Sequence, residues 1–173
     1  MGKAKHFDVR EFVPKDVYDR FGEQSWQFVS DNIVKLFDFV YDFFTDYYKA
    51  KDLTVDHVSV LINNWHLGGQ FEHRGLRTVG YINSQVAQGI KTAMLSQHVG
   101  GSTNASDFNI IIAYKSGRRL TVNSDEVWNV IFEHQKEFMA AGLTTLEDKS
   151  ITKGWTHADC RFTGTDSLYI VKP

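Results

Sequence analysis

The 173-residue chain has only one cysteine, Cys160, and two prolines. A single thiol excludes an intrachain disulfide and a thiolate cluster for zinc, which favours folding in a reducing compartment. The first ten residues, MGKAKHFDVR, lack the apolar core of a secretory signal. Charged residues interrupt every apolar run before it is long enough to span a membrane. We therefore expect synthesis in the cytoplasm, no signal peptide and no membrane span.

The chain also lacks an excess of charge of either sign. Its 19 basic and 21 acidic side chains give a formal net charge of −2. No basic stretch is dense enough to track a phosphate backbone, so we expect no nucleic-acid partner. Hydrophobic residues make up 42% of the chain, an ordinary globular value. The length then suits one domain over residues 1–173.

Apolar periodicity predicts that helices come first and that strands follow, with one later helix among the strands. The strongest helical pattern covers 30–51, where a stripe of aromatic side chains is best explained by core packing. The other predicted helices are 13–22, 84–95 and 123–142. The predicted strands are 54–65, 107–114, two within 142–162 and an edge strand in 167–173. This order is typical of an α+β fold with a helical lead-in (1–52) and a sheet-containing core (53–173).

Two of the seven histidines lie at an edge between loop and predicted strand. His98 precedes Asp107 by nine residues, and His157 precedes Asp159 by two. Two histidines and one carboxylate are a common catalytic zinc set, with water as the fourth ligand. Polar loops are also rich in histidine and aspartate, so spacing alone favours a plain loop ahead of a strand.

Three sequence blocks raise the case for a metal site, and they resemble one known family. The blocks are SQHVGGSTNASDF (96–108), GWTHADCR (154–161) and INNWHLGGQFEHRGLRT (62–78). They resemble motifs of the zinc D-Ala-D-Ala and L-Ala-D-Glu peptidases, in particular phage-encoded members, and they occur in the family's order. The resemblance covers roughly residues 58–162. It implies a hedgehog/DD-peptidase fold, with a small antiparallel sheet and flanking helices.

The resemblance also assigns roles to individual residues. It implies that Zn²⁺ is bound by His98, Asp107 and His157. It implies four substrate-binding side chains, namely Arg77, Arg74, Ser96 and Trp155. A planar guanidinium suits bidentate binding of a substrate carboxylate. Three of these residues also have a plainer possible role: a surface salt bridge for Arg74, loop orientation for Ser96 and core packing for Trp155.

The chain departs from the family pattern at two places. The step from His98 to Asp107 is two residues longer than in the family signature, and Gly100 and Gly101 would let the loop bulge. Many members carry a catalytic carboxylate three residues before the last histidine, where this chain has Gly154. Glycine cannot accept a proton from water.

Other carboxylates are therefore candidates for the catalytic base. We name Asp159 and Glu147 as catalytic candidates, with Asp148 beside them. Asp159 has an alternative role, because a carboxylate next to a ligand histidine often orients its ring. Glu147 and Asp148 have the alternative of being solvated turn residues.

These features predict a zinc peptidase that cleaves peptidoglycan stem or cross-link peptides. Because that substrate lies outside the cytoplasm, the expected setting is a phage lysis enzyme or a virion-associated hydrolase. The alternative is a peptidase-fold protein without catalysis, acting as a virion component or a binding module. A third hypothesis is an α+β domain without metal, whose motif match is accidental.

Overall fold

The computed structural model describes residues 4–90, 96–99 and 102–172 of the chain. These residues form an α+β fold, which confirms the class predicted from the order of elements. The helices are α1 (Lys15–Phe21), α2 (Asp31–Lys51), α3 (Val79–Ala87), α4 (Ser124–Glu133) and α5 (Gln135–Ala140). The strands are β1 (Val55–Leu61), β2 (Ala105–Tyr114), β3 (Arg119–Thr121), β4 (Thr145–Glu147), β5 (Thr156–Asp159) and β6 (Tyr169–Val171). Within the described ranges, no helix is long and apolar enough to cross a membrane.

The six strands form one mixed sheet in the order β1-β2-β5-β4-β6, and β3 also pairs with β2. The β1–β2, β2–β3, β2–β5 and β4–β5 pairs are antiparallel, whereas β6 runs parallel to β4. The resemblance implied an antiparallel sheet, whereas the observed sheet contains one parallel pair. The reason is topological, because the chain leaves β5 and returns along the far edge of β4 in the direction of β4 itself. The hedgehog/DD-peptidase fold stays a prediction.

Helix α2 packs against the sheet through its aromatic stripe. Ser30 caps the helix by accepting a hydrogen bond from the backbone N–H of Ile33 at 3.2 Å. Phe37 and Phe44 are completely buried. The ring of Phe37 meets the ring of Phe108 on β2 edge to face, with 5.2 Å between centroids. The stripe is thus part of the hydrophobic core.

Two predicted helices have different bounds in the structure. The helix predicted over 84–95 is α3, which begins at Val79 because Thr78 caps it by accepting from the N–H of Tyr81. Residues 91–95 of the predicted helix lie outside the described residues. The helix predicted over 123–142 is broken into α4 and α5 at His134, whose backbone leaves helical geometry.

The segment before α3 lies against the N-terminal part of the chain at Gly75. The N–H of Leu76 donates to the carbonyl oxygen of Phe12 at 2.6 Å. A Cβ atom added at Gly75 would lie 2.2 Å from that oxygen, which is far inside van der Waals contact. Glycine is therefore required at this position by the close approach of two backbones.

We expect Gly75→Ala to lower the free energy of unfolding by about 1–3 kcal/mol, because the two backbones must separate to admit the methyl group. Urea denaturation followed by circular dichroism measures this. Gly80→Ala is the matched control. Its added Cβ meets only the Thr78 side chain at 3.9 Å, and alanine favours the helix. Equal stability of the two variants would contradict the role given to Gly75.

Candidate metal centre

The strand register brings Asp107 and His157 together. Asp107 on β2 is the direct partner of His157 on β5, so both side chains lie on the same face of the sheet. The next pair, Phe108 and Thr156, lies on the opposite face, and Phe108 is buried in the core. The apolar face thereby fixes which residues of β2 and β5 reach the site.

His98 lies in a short segment, residues 96–99, that is bonded to the segment before α3. The N–H of Arg77 donates to the carbonyl oxygen of His98 at 2.7 Å. The Ser96 hydroxyl accepts a hydrogen bond from the N–H of His98 at 3.3 Å, so this serine orients the turn. Gly100 and Gly101, expected to let the loop bulge, lie outside the described residues.

Three side-chain atoms meet within a small buried space. Asp107 Oδ1 lies 2.8 Å from His157 Nδ1 and 3.4 Å from His98 Nε2, and the two nitrogens are 3.2 Å apart. The three residues are at most 6% exposed. A tetrahedral ion with bonds of about 2.1 Å keeps its ligands about 3.4 Å apart, within about 0.7 Å of each of these distances. The group could therefore hold a metal ion.

The protonation pattern of both rings favours a cation between these atoms. His98 Nδ1 lies 2.6 Å from the carbonyl oxygen of Gly75, which can only accept, so this nitrogen carries the proton. His157 Nε2 lies 3.1 Å from Asp159 Oδ2 and carries its proton for the same reason. Each neutral ring then directs its lone pair at Asp107. Three converging acceptors require either an added proton or a metal ion between them.

An outer layer of charges fixes the two carboxylates. Arg77 Nη2 donates to Asp107 Oδ2 at 2.7 Å, which leaves Oδ1 directed at the histidines. Arg161 donates to both oxygens of Asp159, which is completely buried. Both oxygens of Asp159 are thus occupied, and the carboxylate is suited to orient His157 rather than to receive a proton from water.

The charges also move the pKa values of the ligand residues. Burial lowers the pKa of His98. Burial alone would raise the pKa of Asp107, but the charges and hydrogen bonds of the two histidines hold it well below its usual range. Burial would likewise lower the pKa of His157, but its hydrogen bonds to Asp107 and Asp159 raise that pKa to about 9. Without metal, His157 is therefore the ring that carries the extra proton at neutral pH.

Arg74, in the segment before α3, and Trp155, one residue before β5, lie beside the cluster. Arg74 Nη1 donates to Asn109 Oδ1 at 2.6 Å, and Asn109 Nδ2 donates to the carbonyl oxygen of Gly154 at 2.7 Å. Extending the β2–β5 register by one pair sets Trp155, which is half-buried, opposite Asn109. These residues border the site without touching its three central atoms, and Arg77 reaches it through Asp107.

Of the remaining carboxylates, Glu147 lies nearer the cluster. Extending the β4–β5 register by one pair sets Glu147 beside His157 on the site face, and its charge helps to raise the pKa of that histidine. The carboxylate of Glu147 has no hydrogen-bond partner among the described residues. Asp148 instead accepts from the backbone N–H of Ser150 at 2.9 Å, which commits it to a turn.

Sequence reasoning missed two contributors to the site. Arg161 carried a detectable signal, because residues two apart in a strand share a face and Arg161 follows Asp159 by two. The carbonyl of Gly75 gave no sequence signal. Every residue type has a backbone carbonyl, so the sequence does not show that this one accepts from His98, 23 residues away.

Comparison of the chain with protein families, curated proteins and solved structures gives no significant match. The resemblance to the zinc peptidases therefore has only the three sequence blocks behind it, and the metal centre has the geometry described above.

We expect the purified protein to bind about one Zn²⁺ per chain and to melt at a higher temperature when zinc is added. His98→Ala removes one of three ligands and should abolish both effects, as measured by metal analysis and thermal unfolding. His134→Ala is the control, because His134 is half-exposed and pairs with Glu137 on α5. Equal zinc content in the two variants would contradict the site.

Zinc binding should release about one proton per chain at pH 7. Metal must displace the proton of His157, whereas His98 is already neutral and Asp107 is already ionised. Affinity should rise by about tenfold per pH unit from pH 7 towards pH 9, where His157 loses that proton unaided. Calorimetry in two buffers of different ionisation heat counts the proton, and identical heats in both would refute this.

Proposed function

We propose that this protein is a zinc-dependent peptidase that cleaves peptidoglycan stem or cross-link peptides. The observation that carries the proposal is the buried convergence of His98 Nε2, His157 Nδ1 and Asp107 Oδ1. Two nitrogens and one carboxylate oxygen are the ligand set of many catalytic zinc sites, which keep a fourth position for water. The peptidoglycan substrate is supported by the three sequence blocks alone.

The roles of the protein groups follow from their contacts. Zinc, when bound, polarises a scissile carbonyl and lowers the pKa of a water molecule to about 7. The Gly75 carbonyl and Asp159 fix the orientation of the two histidine rings. Arg77 holds one oxygen of Asp107 and leaves the other directed inward. A second task for Arg77, binding a substrate carboxylate, would use the quarter of its side chain that is exposed.

Glu147 is our candidate for the group that moves the proton. Neighbouring strands are about 4.8 Å apart, so a Glu147 side chain one pair beyond the last β4–β5 pair can reach His157 through one water molecule. In hydrolysis the water oxygen bonds to the carbonyl carbon and the C–N bond breaks. Glu147 takes one proton from that water and delivers it to the departing nitrogen. Asp159, already bonded to His157 and Arg161, acts as a positioning residue.

The biological setting is part of the proposal. Peptidoglycan lies outside the cytoplasm, so the enzyme must reach it during cell lysis or from a particle outside the cell. A phage-encoded lysis enzyme or a virion-associated hydrolase meets that requirement, and other virion proteins would be its partners in the second case.

One observation favours a second candidate function. Gly154 occupies the position at which many members of the resembled family carry their catalytic carboxylate, and its backbone has a φ of +98° that favours glycine. A protein that keeps the metal centre without a base would act as a virion component or a binding module for cell-wall peptides. It would bind purified murein without cleaving it.

We expect the zinc-loaded protein to release new amino groups from purified murein. Glu147→Gln should keep its zinc and lose about 10²–10⁴-fold in rate, because it lacks the proton acceptor. Asp148→Asn is the adjacent control and should stay near the parent rate. If the zinc-loaded parent binds murein but releases no amino groups, the binding-module candidate replaces the peptidase.

A further inference from the structure

A groove of about 710 Å³ opens next to the metal centre. Asn109 and Gly154 both line it. Asn109 follows Asp107 by two residues and Gly154 precedes His157 by three, so both ligand-bearing strand segments run into its wall. At about 3.3 Å per residue, the groove begins about 7 Å from the ligands. Its volume is within the usual range for small-molecule sites.

The wall between the centre and the groove is fixed by hydrogen bonds. The Asn109 amide is bonded on one side to Arg74 and on the other to the Gly154 carbonyl, at 2.6 and 2.7 Å. The N–H of Gly154 in turn donates to the hydroxyl of Ser124, the first residue of α4, at 3.2 Å. An extended peptide whose scissile bond lies at the metal would therefore meet a preformed groove about two residues away.

Two of the four charged side chains in the groove are already committed. The Lys149 ammonium donates to Asn129 Oδ1 at 3.1 Å, on the exposed side of α4. The Asp148 carboxylate accepts from the backbone N–H of Ser150, and this bond lowers its pKa. Each of these two groups already has one partner, with which a ligand would have to share it.

The other two charged side chains are Lys153 and Asp125. Both line the groove, both are exposed, and neither has an ion pair or a side-chain hydrogen bond with another described residue. The groove thus offers one uncommitted ammonium and one uncommitted carboxylate. A ligand that carries one charge of each sign would match this pair, whereas an apolar or singly charged ligand would leave one group without a partner.

We propose that the groove binds a zwitterionic residue of the substrate, about two residues from the scissile bond. Its carboxylate would pair with Lys153 and its ammonium with Asp125. This inference rests on the proposed peptidase function and deepens it, because it names the substrate feature that the enzyme selects. A peptide that ends in a diamino acid with a free carboxylate has this chemistry.

The test uses the zinc-loaded full chain carrying Glu147→Gln, so that the probe is bound and not consumed. The probe is Ala-γ-D-Glu-Lys with a free carboxyl terminus, compared with its C-terminal amide and its norleucine analogue. Dissociation constants come from ¹⁵N NMR titrations. Each missing charge should weaken binding by about fivefold, the upper range for an exposed ion pair. The amides of Asn109, Ser124 and Gly154 should shift.

Added substitutions then assign each charge to its partner. Lys153→Gln should make the acid and the amide bind equally, and Asp125→Asn should make the lysine and norleucine peptides bind equally. Lys115→Gln and Asp46→Asn are matched exposed controls outside the groove, and both differences should persist in them. Persistence of the acid–amide difference in Lys153→Gln, or unshifted groove amides, would overturn the proposal.

The two proposals fail in distinguishable ways. Murein hydrolysis by the zinc-loaded parent, with peptide binding that is indifferent to Lys153 and Asp125, overturns the groove assignment and leaves the peptidase. Peptide binding that depends on both residues, without hydrolysis of murein by the parent, supports the groove and overturns the peptidase.

Discussion

Three acceptor atoms that meet in a buried space impose the constraint on which the site depends. His98 Nε2, His157 Nδ1 and Asp107 Oδ1 lie within 3.4 Å of one another, and each ring has its other nitrogen bonded to an acceptor. Such a group is unstable without positive charge at its centre. A proton on His157 or a metal ion supplies that charge, and the two exclude each other. A proton and a metal ion therefore compete for the same position.

The charges around the centre alternate in sign from one side of the site to the other. Arg77 bonds to Asp107, Asp107 to His157, His157 to Asp159, and Asp159 to Arg161. In this row each buried charge has a partner of opposite sign, which offsets the cost of removing it from water. The row exists only in one strand register, because a slip of one residue would turn the charged face of β2 into the core and expose the apolar face.

Local patterns in the sequence predicted most of the elements, because burial of one face leaves a periodic trace. Helix α2 has that trace, and its predicted bounds agree with the structure almost to the residue. The break at His134 and the start of α3 at Val79 depend on capping and tertiary contacts, which periodicity does not record. For the site, residue types and motif order singled out His98, Asp107 and His157, but spacing alone did not distinguish a metal site from a polar loop. Their meeting depends on pairing between strands 50 residues apart in the chain.

The acceptor that orients His98 is a backbone carbonyl, and this has a consequence for how the site can change over time. Every residue type carries that oxygen, so no point mutation at position 75 can delete it. Substitution can only displace it, by forcing Gly75 away from Phe12. Asp159, which orients the other ring, is a side chain that a single nucleotide change can remove. The orientation of His98 therefore depends on the close backbone approach at Gly75, whereas that of His157 depends on the residue type at position 159. Different kinds of mutation would disrupt the two histidines.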